Sequence, residues 1–221
     1  MICWSCEREA GVGLTCPACE ALQPPDGAAD AFAVLGVPAR YAVDLETAEA
    51  AYKRLSRQVH PDRFATADPR ARRASLARTV QLNDAWRTLK DPVRRATYML
   101  GRAGVDIGDE NKSGEGRSKL KPSPVFLMEM LELNDELAEA ATSGNDGRLA
   151  AMTSMLRERA GATMARIAEG LEAGAPALLD AAAQELAALR YYQRLLDQAE
   201  AHQERAEAQA ESRASEGSNH G

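Results

Sequence analysis

All four cysteines of this 221-residue chain lie within its first 19 positions, as Cys3-x-x-Cys6 and Cys16-x-x-Cys19 with nine residues between the pairs. Cysteines gathered this tightly cannot staple distant parts of a fold, so they make one local site. Residues 1–26 are too few to close an apolar core, and a segment of that size draws its order from a bound metal. Two such knuckles converge four thiolates on one tetrahedral ion, and Zn²⁺ suits that ligand set. Iron in a rubredoxin-like site would use the same ligands, and a metal-free Cys-x-x-Cys pair would make a redox dithiol. Cys3, Cys6, Cys16 and Cys19 leave no open coordination position, which favours a structural Zn²⁺ over a catalytic one.

Downstream of the cysteines the composition is that of packed helices. Aromatic residues are 5% of the chain, while Ala, Leu, Glu and Arg abound. Gln23-Pro24-Pro25-Asp26-Gly27 breaks any helix and reads as a hinge. Phe32, Leu35 and Val37 then form a short apolar turn closed by Gly36 and Pro38. Asp44 can cap a helix to Val59, in which Leu45, Ala48, Tyr52, Leu55 and Val59 recur at spacings of three and four. A longer helix is predicted from Pro69 to Lys90, with Ala74, Leu76, Val80, Leu82, Ala85, Trp86 and Leu89 as its apolar contacts. Asp91-Pro92 reads as the N-cap and first residue of a further helix that ends at the glycines 101 and 104.

Residues 30–104 therefore make one small helical domain. Residues 105–121, with four charges of each sign and three glycines, read as a linker. From Ser123-Pro124 onward, three helices broken at Gly144-Asn145-Asp146-Gly147 and at Gly174-Ala175-Pro176 predict an antiparallel bundle over 122–204. Residues 205–221 lose the apolar stripe and are expected to fray into a disordered tail. The expected fold is all-α: a small four-cysteine zinc-binding module, a helical domain and a C-terminal three-helix bundle.

The formal net charge of −6 conceals a division along the chain. Residues 30–104 carry fourteen basic and eight acidic side chains, whereas residues 105–221 carry twelve and twenty-one. A basic segment within an acidic chain suggests an electrostatic docking face, although arginines solvated on helix surfaces give the same count. No stretch approaches the roughly 18–20 apolar residues that span a bilayer, and Met1-Ile2-Cys3-Trp4 opens neither a secretory nor a transit signal. A soluble, cytoplasmic protein with no membrane partner is expected.

His60-Pro61-Asp62 interrupts the helical pattern, because proline disfavours helical geometry in the residue before it and lacks a backbone donor. Taken alone the tripeptide is an ordinary turn. Its setting is more specific: it joins a helix bearing Lys53, Arg54 and Arg57 to the long helix after it. Arg63-Phe64, Asn83-Asp84-Ala85-Trp86 and Asp91-Pro92 with Arg94-Arg95 follow. In this the chain resembles the J-domain family, whose tripeptide between helices II and III stimulates ATP hydrolysis by a DnaK-class chaperone. Phe32-x-x-Leu35-Gly36-Val37-Pro38, Tyr41 and the run Phe126 to Leu133 narrow the resemblance to the HscB-type co-chaperones of iron–sulfur cluster assembly. The cysteine module is similar to the N-terminal extension of eukaryotic and some bacterial members. The resemblance implies that His60, Pro61 and Asp62 contact the chaperone's nucleotide-binding region, with Lys53, Arg54, Arg57 and Arg63 supplying attraction. Arg63 stands where the family usually has Lys, which keeps charge but not geometry.

In the helix after the linker, Phe126, Met130, Leu133 and Leu137 form one stripe suited to burial. Leu127, Met128 and Leu131 fall outside it, bordered by Glu132, Asp135 and Glu139. A surplus apolar stripe with an acidic rim suits a partner interface; burial of both stripes between two other helices is the alternative. The HscB resemblance implies that Leu127, Met128, Leu131, Glu132, Asp135 and Glu139, completed by Tyr191, hold an IscU-type cluster scaffold. Asp135 and Tyr191 stand where members often carry Glu and Phe.

The expected function is thus a non-enzymatic co-chaperone that presents an IscU-type scaffold to an HscA- or DnaK-class ATPase. A generic J-domain co-chaperone is one alternative. A zinc-dependent nucleic-acid-binding protein is another, prompted by the Arg70-Arg72-Arg73-Arg78 face. An acidic module and a pI near 5.3 leave little phosphate attraction outside one helix, so no nucleic-acid partner is expected. The pattern leaves open whether the zinc module docks a chaperone, promotes self-association or braces the J-domain.

Overall fold

The computed structural model describes residues 1–11, 13–105 and 122–217, so positions 106–121 of the expected linker and 218–221 of the expected tail lie outside the described residues. Among these the α-helices are α1 (Ala31–Leu35), α2 (Leu45–Val59), α3 (Pro69–Lys90), α4 (Pro92–Arg102), α5 (Pro124–Thr142), α6 (Asp146–Ala173) and α7 (Pro176–Gly217). A 3-10 turn, Pro61–Phe64, separates α2 from α3. β pairing among the described residues is confined to two isolated antiparallel bridges, Ile2 with Glu9 and Thr15 with Leu22. The chain forms two compact units, Met1–Tyr98 and Met99–Gly221, and no described helix is long and apolar enough to cross a membrane.

In the first unit the helix boundaries follow from side-chain caps. Asp44 accepts the amides of Glu46 and Thr47 at the start of α2, and Asp68 accepts that of Arg70 at the start of α3. Asp91 accepts those of Val93 and Arg94 (2.9 and 2.8 Å) at the start of α4. Hydrogen bonds from Thr47 hold the Asp44 carboxyl below the usual carboxylate range. This cap therefore stabilises the helix at neutral pH and loses its contribution as pH falls through that lowered value.

The core of the unit gathers Phe32, Leu35, Ala48, Val59, Ala74, Leu82, Ala85 and Leu89, all buried. Leu45, Leu76 and Val80, expected among the core contacts, are instead 41%, 56% and 59% exposed. At 100° per residue Leu76 and Val80 lie across α3 from Ala71, Ala74, Leu82, Ala85 and Leu89. Leu45 is the first residue of α2, ahead of the turns that pack on α3. The expected hinge at Gln23–Gly27 is also corrected. Gln23 is buried, and the Arg78 side chain donates to the carbonyls of Gln23 (3.1 Å) and Pro24 (3.0 Å). These bonds pin the segment to α3, so the cysteine module and the J-type helices share one compact unit.

In the second unit α6 and α7 form an antiparallel hairpin, with α5 along part of it. α5 packs Met130, Leu133 and Leu137 against Leu149, Met152 and Leu156 of α6 and Tyr192, Leu195 and Ala199 of α7. Further along the hairpin the two helices approach closely at Gly170, where an added Cβ would sit 2.8 Å from the carbonyl oxygen of Leu178 and 3.1 Å from Ala182 Cβ. Alanine favours a helix interior over glycine by about 1 kcal/mol, yet here it meets main chain. Gly170→Ala is accordingly expected to destabilise the unit by roughly 1–2 kcal/mol net, as overpacking does. Chemical denaturation measures this, and a rise in stability would contradict the close approach. α7 continues to Gly217, past position 204 where the tail was expected to fray. Ala, Glu, Gln and Arg, which fill this stretch, are among the strongest helix formers, and their propensity carries the helix beyond the last core contact.

Candidate metal centre and partner surfaces

The cysteine module consists of two knuckles built alike. Cys3 N donates to Arg8 O (2.8 Å) and Glu7 N to Cys3 O (3.1 Å); thirteen residues on, Cys16 N donates to Ala21 O (3.0 Å) and Glu20 N to Cys16 O (2.8 Å). Each knuckle turns through a left-handed residue after its second cysteine, Glu7 at φ 59° and Glu20 at φ 61°. These are positions where glycine would be unstrained. The turns face the four sulfurs inward, all within 4.8 Å of one another. Cys3 Sγ lies 3.6 Å from Cys19 Sγ, and Cys6 Sγ 3.7 Å from Cys16 Sγ. A tetrahedron with metal–sulfur bonds of about 2.3 Å has edges of about 3.8 Å, so the four cysteines fit one ion. Donors surround the sulfurs as thiolate ligands require: Ser5 N and Gln23 Nε2 reach Cys3 Sγ (3.3 Å each), and Ala18 N reaches Cys16 Sγ (3.4 Å). Replacing Cys3 and Cys6 together by Ser is expected to remove one equivalent of bound metal per chain. Elemental analysis of the purified protein checks it, and an unchanged metal content would contradict the site.

The second site is the 3-10 turn after α2. Pro61 has no backbone donor and cannot continue that helix, and the buried Ser75 hydroxyl of α3 donates to Val59 O at 2.6 Å, fixing where the turn begins. His60 caps α2 and accepts the Asp62 amide at Nδ1 (3.3 Å). The side chains of His60 and Asp62 are 55% and 90% exposed. Lys53, Arg54 and Arg57 are exposed on the arc of α2 opposite Ala48 and Val59. Lys53 pairs with Glu49 (2.8 Å), and Arg63 folds back to donate to Arg57 O (3.3 Å). All of the seven residues but the half-buried Pro61 are exposed, so α2 and the turn present cationic side chains together with the Asp62 carboxylate. Ser75 escaped the sequence reading because a small residue in a long helix carries no signal of a tertiary hydrogen bond.

The expected four-arginine face on α3 does not form. Arg78 is buried, and Arg70 donates to Trp4 O at 3.3 Å. Arg78 lies four residues after Ala74 and four before Leu82, on the buried arc of the helix, a spacing that marks it as inward-facing.

The third site is the outer arc of α5. Leu127, Met128 and Leu131 are 38%, 64% and 62% exposed, which removes the alternative that both stripes are buried. Met128 and Leu131 lie with Glu132, Asp135 and Glu139 on the side of the helix turned away from Met130 and Leu137, and Leu127 stands at its edge. Val125, 77% exposed, stands at the N-terminal end of this helix and was missed because it precedes the periodic run. Glu139 is drawn to Arg148 of α6 (3.1 Å), which also reaches Glu136 (3.5 Å). Tyr191 is half-buried; its ring meets Phe126 edge-on at 5.8 Å and lies beneath Arg194 at 4.7 Å. It thus sits at the margin of the bundle core.

Residues 30–98 match the DnaJ domain family, and residues 122–200 match the family described as the HSCB C-terminal oligomerisation domain. The chain is 36% identical over 176 residues to the co-chaperone protein HscB homolog of Burkholderia multivorans, covering 80% of this chain and 95% of that one. It is 37% identical over 143 residues to the homolog of Burkholderia thailandensis, covering 65% and 78%. The crystal structure of human co-chaperone protein HscB superposes with a TM-score of 0.77 at 25% identity, over 92% of this chain and 98% of that one. The chaperone HscB from Vibrio cholerae gives 0.67 at 28% identity, over 80% and 99%.

Proposed function

The chain belongs to the HscB family of J-domain co-chaperones, and on that premise we propose that it serves iron–sulfur cluster assembly by presenting an IscU-type scaffold to an HscA- or DnaK-class ATPase. The observation that carries this reading is the outer arc of α5, where an exposed apolar stripe edged by acids is held by a chain that also exposes His60-Pro61-Asp62 beside a cationic helix. One surface suits a folded client with an apolar, basic-edged face. The other suits the chaperone.

No chemistry by this chain is needed. A turn that binds the hydrolysing conformation of the ATPase better than its resting one shifts that equilibrium by the difference in affinity. Holding the scaffold on the same molecule raises its effective concentration at the chaperone. The four-cysteine site is read as structural Zn²⁺, since four thiolates with no open position match that role. Calorimetric titration of the scaffold into the full chain tests the client assignment. A saturable complex with a negative heat-capacity change is expected from burial of the α5 stripe. Absence of binding at micromolar concentrations would contradict it.

A further inference from the structure

Gln23 and Arg78 belong to neither partner surface, yet they are 1% and 7% exposed. Gln23 Nε2 donates both to Cys3 Sγ (3.3 Å) and to Ala21 O (2.7 Å), while Gln23 Oε1 is buried with no hydrogen-bond partner among the described residues. Turning the amide over would satisfy nothing, since it would set the oxygen against a thiolate and a carbonyl. The side chain is therefore oriented for the sulfur. The backbone of the same residue is held twice: its amide donates to Leu14 O (2.8 Å) inside the second knuckle, and its carbonyl accepts Arg78 Nε (3.1 Å). Arg78 Nη2 reaches Gly13 O (3.1 Å) and Pro24 O (3.0 Å), and Nη1 meets Gln81 Oε1 (3.3 Å). Gln81 Nε2 in turn holds Asp26 O (3.0 Å).

A guanidinium on the middle of a J-domain helix thus gives three hydrogen bonds to main-chain carbonyls of the cysteine module. We propose that Gln23 is a positioning residue of the metal centre and that Arg78 latches it to α3, so that metal binding and docking of the module on the J-domain stabilise each other. The inference rests on the reading of the four cysteines as a metal site. Four thiolates around a divalent ion leave excess negative charge, which buried sulfurs such as those of Cys3 and Cys16 must offset with donors. Of the donors to these sulfurs, Ser5 N and Ala18 N are internal to the knuckles, whereas Gln23 is also bonded to α3. Freeing its carbonyl from Arg78 loosens a donor whose position depends on the J-domain. Linkage makes the effect reciprocal: whatever docking adds to metal affinity, the metal adds to docking. Because α3 also carries Ser75, which fixes the end of α2 before His60, the module serves as a brace for the helix pair that presents the tripeptide.

The test uses the full chain, with Zn²⁺ affinity measured by competition against a chromophoric chelator. Co²⁺ substitution monitors the ligand set, and amide exchange reports on α3. Arg78→Met and Gln23→Leu are each expected to lower Zn²⁺ affinity about 10–100-fold, as loss of an outer hydrogen bond does. The four-thiolate Co²⁺ spectrum should persist in Arg78→Met. Removing metal from the wild-type chain should accelerate amide exchange in α3, and less so in Arg78→Met. Wild-type metal affinity in Arg78→Met would overturn the latch, as would α3 exchange in the unsubstituted chain that ignores metal; the latter comparison decides even if the variant does not fold. A wild-type chain showing no thiolate–Co²⁺ band would overturn the metal reading itself, a failure separable from that of the latch.

Discussion

His60→Gln and Asp62→Asn are each expected to bring a DnaK-class ATPase back from its stimulated to its basal rate, with helical content and scaffold binding unchanged. The two changes remove different things. Asp62→Asn keeps the shape of a side chain that is 90% exposed and deletes its charge, so it isolates the electrostatic part of the contact. His60→Gln removes the ring whose Nδ1 accepts the Asp62 amide (3.3 Å) and so loosens the turn that positions the carboxylate. Neither side chain packs in the core, and surface substitutions of this kind shift stability by no more than about 0.5 kcal/mol. A steady-state ATPase assay paired with circular dichroism separates the outcomes. Normal stimulation by either variant would contradict the assignment of the turn.

The second large effect is expected on α5. Replacing Leu127, Met128 and Leu131 together by Ala should weaken scaffold binding about 100-fold, the effect of losing roughly 3 kcal/mol from an interface centre. Thermal stability should move little, because Met128 and Leu131 already face solvent in the free protein and Leu127 lies at the edge of the buried arc. Were they buried, each truncation would cost about 2–5 kcal/mol, so a collapse in melting temperature would refute the exposed stripe. Sedimentation of the same variant supplies a further check, since the matching family is described as an oligomerisation domain. Loss of a dimer with scaffold binding intact would reassign the face to self-association.

What was legible in the sequence was what local chemistry decides. Asp44, Asp91 and Ser123 announce helix starts through side chains that cap the next turn, and the structure uses each of them in that way. The cysteine spacing likewise determines a metal-ready cluster, because two short knuckles have few ways to face each other. Periodicity failed where a helix has apolar residues on more than one side: Leu76 and Val80 count toward the pattern of α3 but lie on its open arc. It failed most at Gln23 and Arg78. A proline-rich segment reads as a hinge and an arginine in a basic run reads as surface, and only the tertiary approach of the module to α3 turns the pair into an anchored joint. The roles proposed for His60 and the α5 stripe come through resemblance, since a turn and an apolar arc have no intrinsic partner.

On the proposed function, one chain joins a scaffold to a chaperone ATPase through two separate surfaces. Steady-state ATP hydrolysis by the chaperone, measured with the full chain alone, the scaffold alone and both together, tests this most directly. The expected result is synergy, with the combined stimulation well above the sum of the separate ones. Stimulation by the chain that is indifferent to the scaffold would contradict the claim and leave a generic J-domain protein.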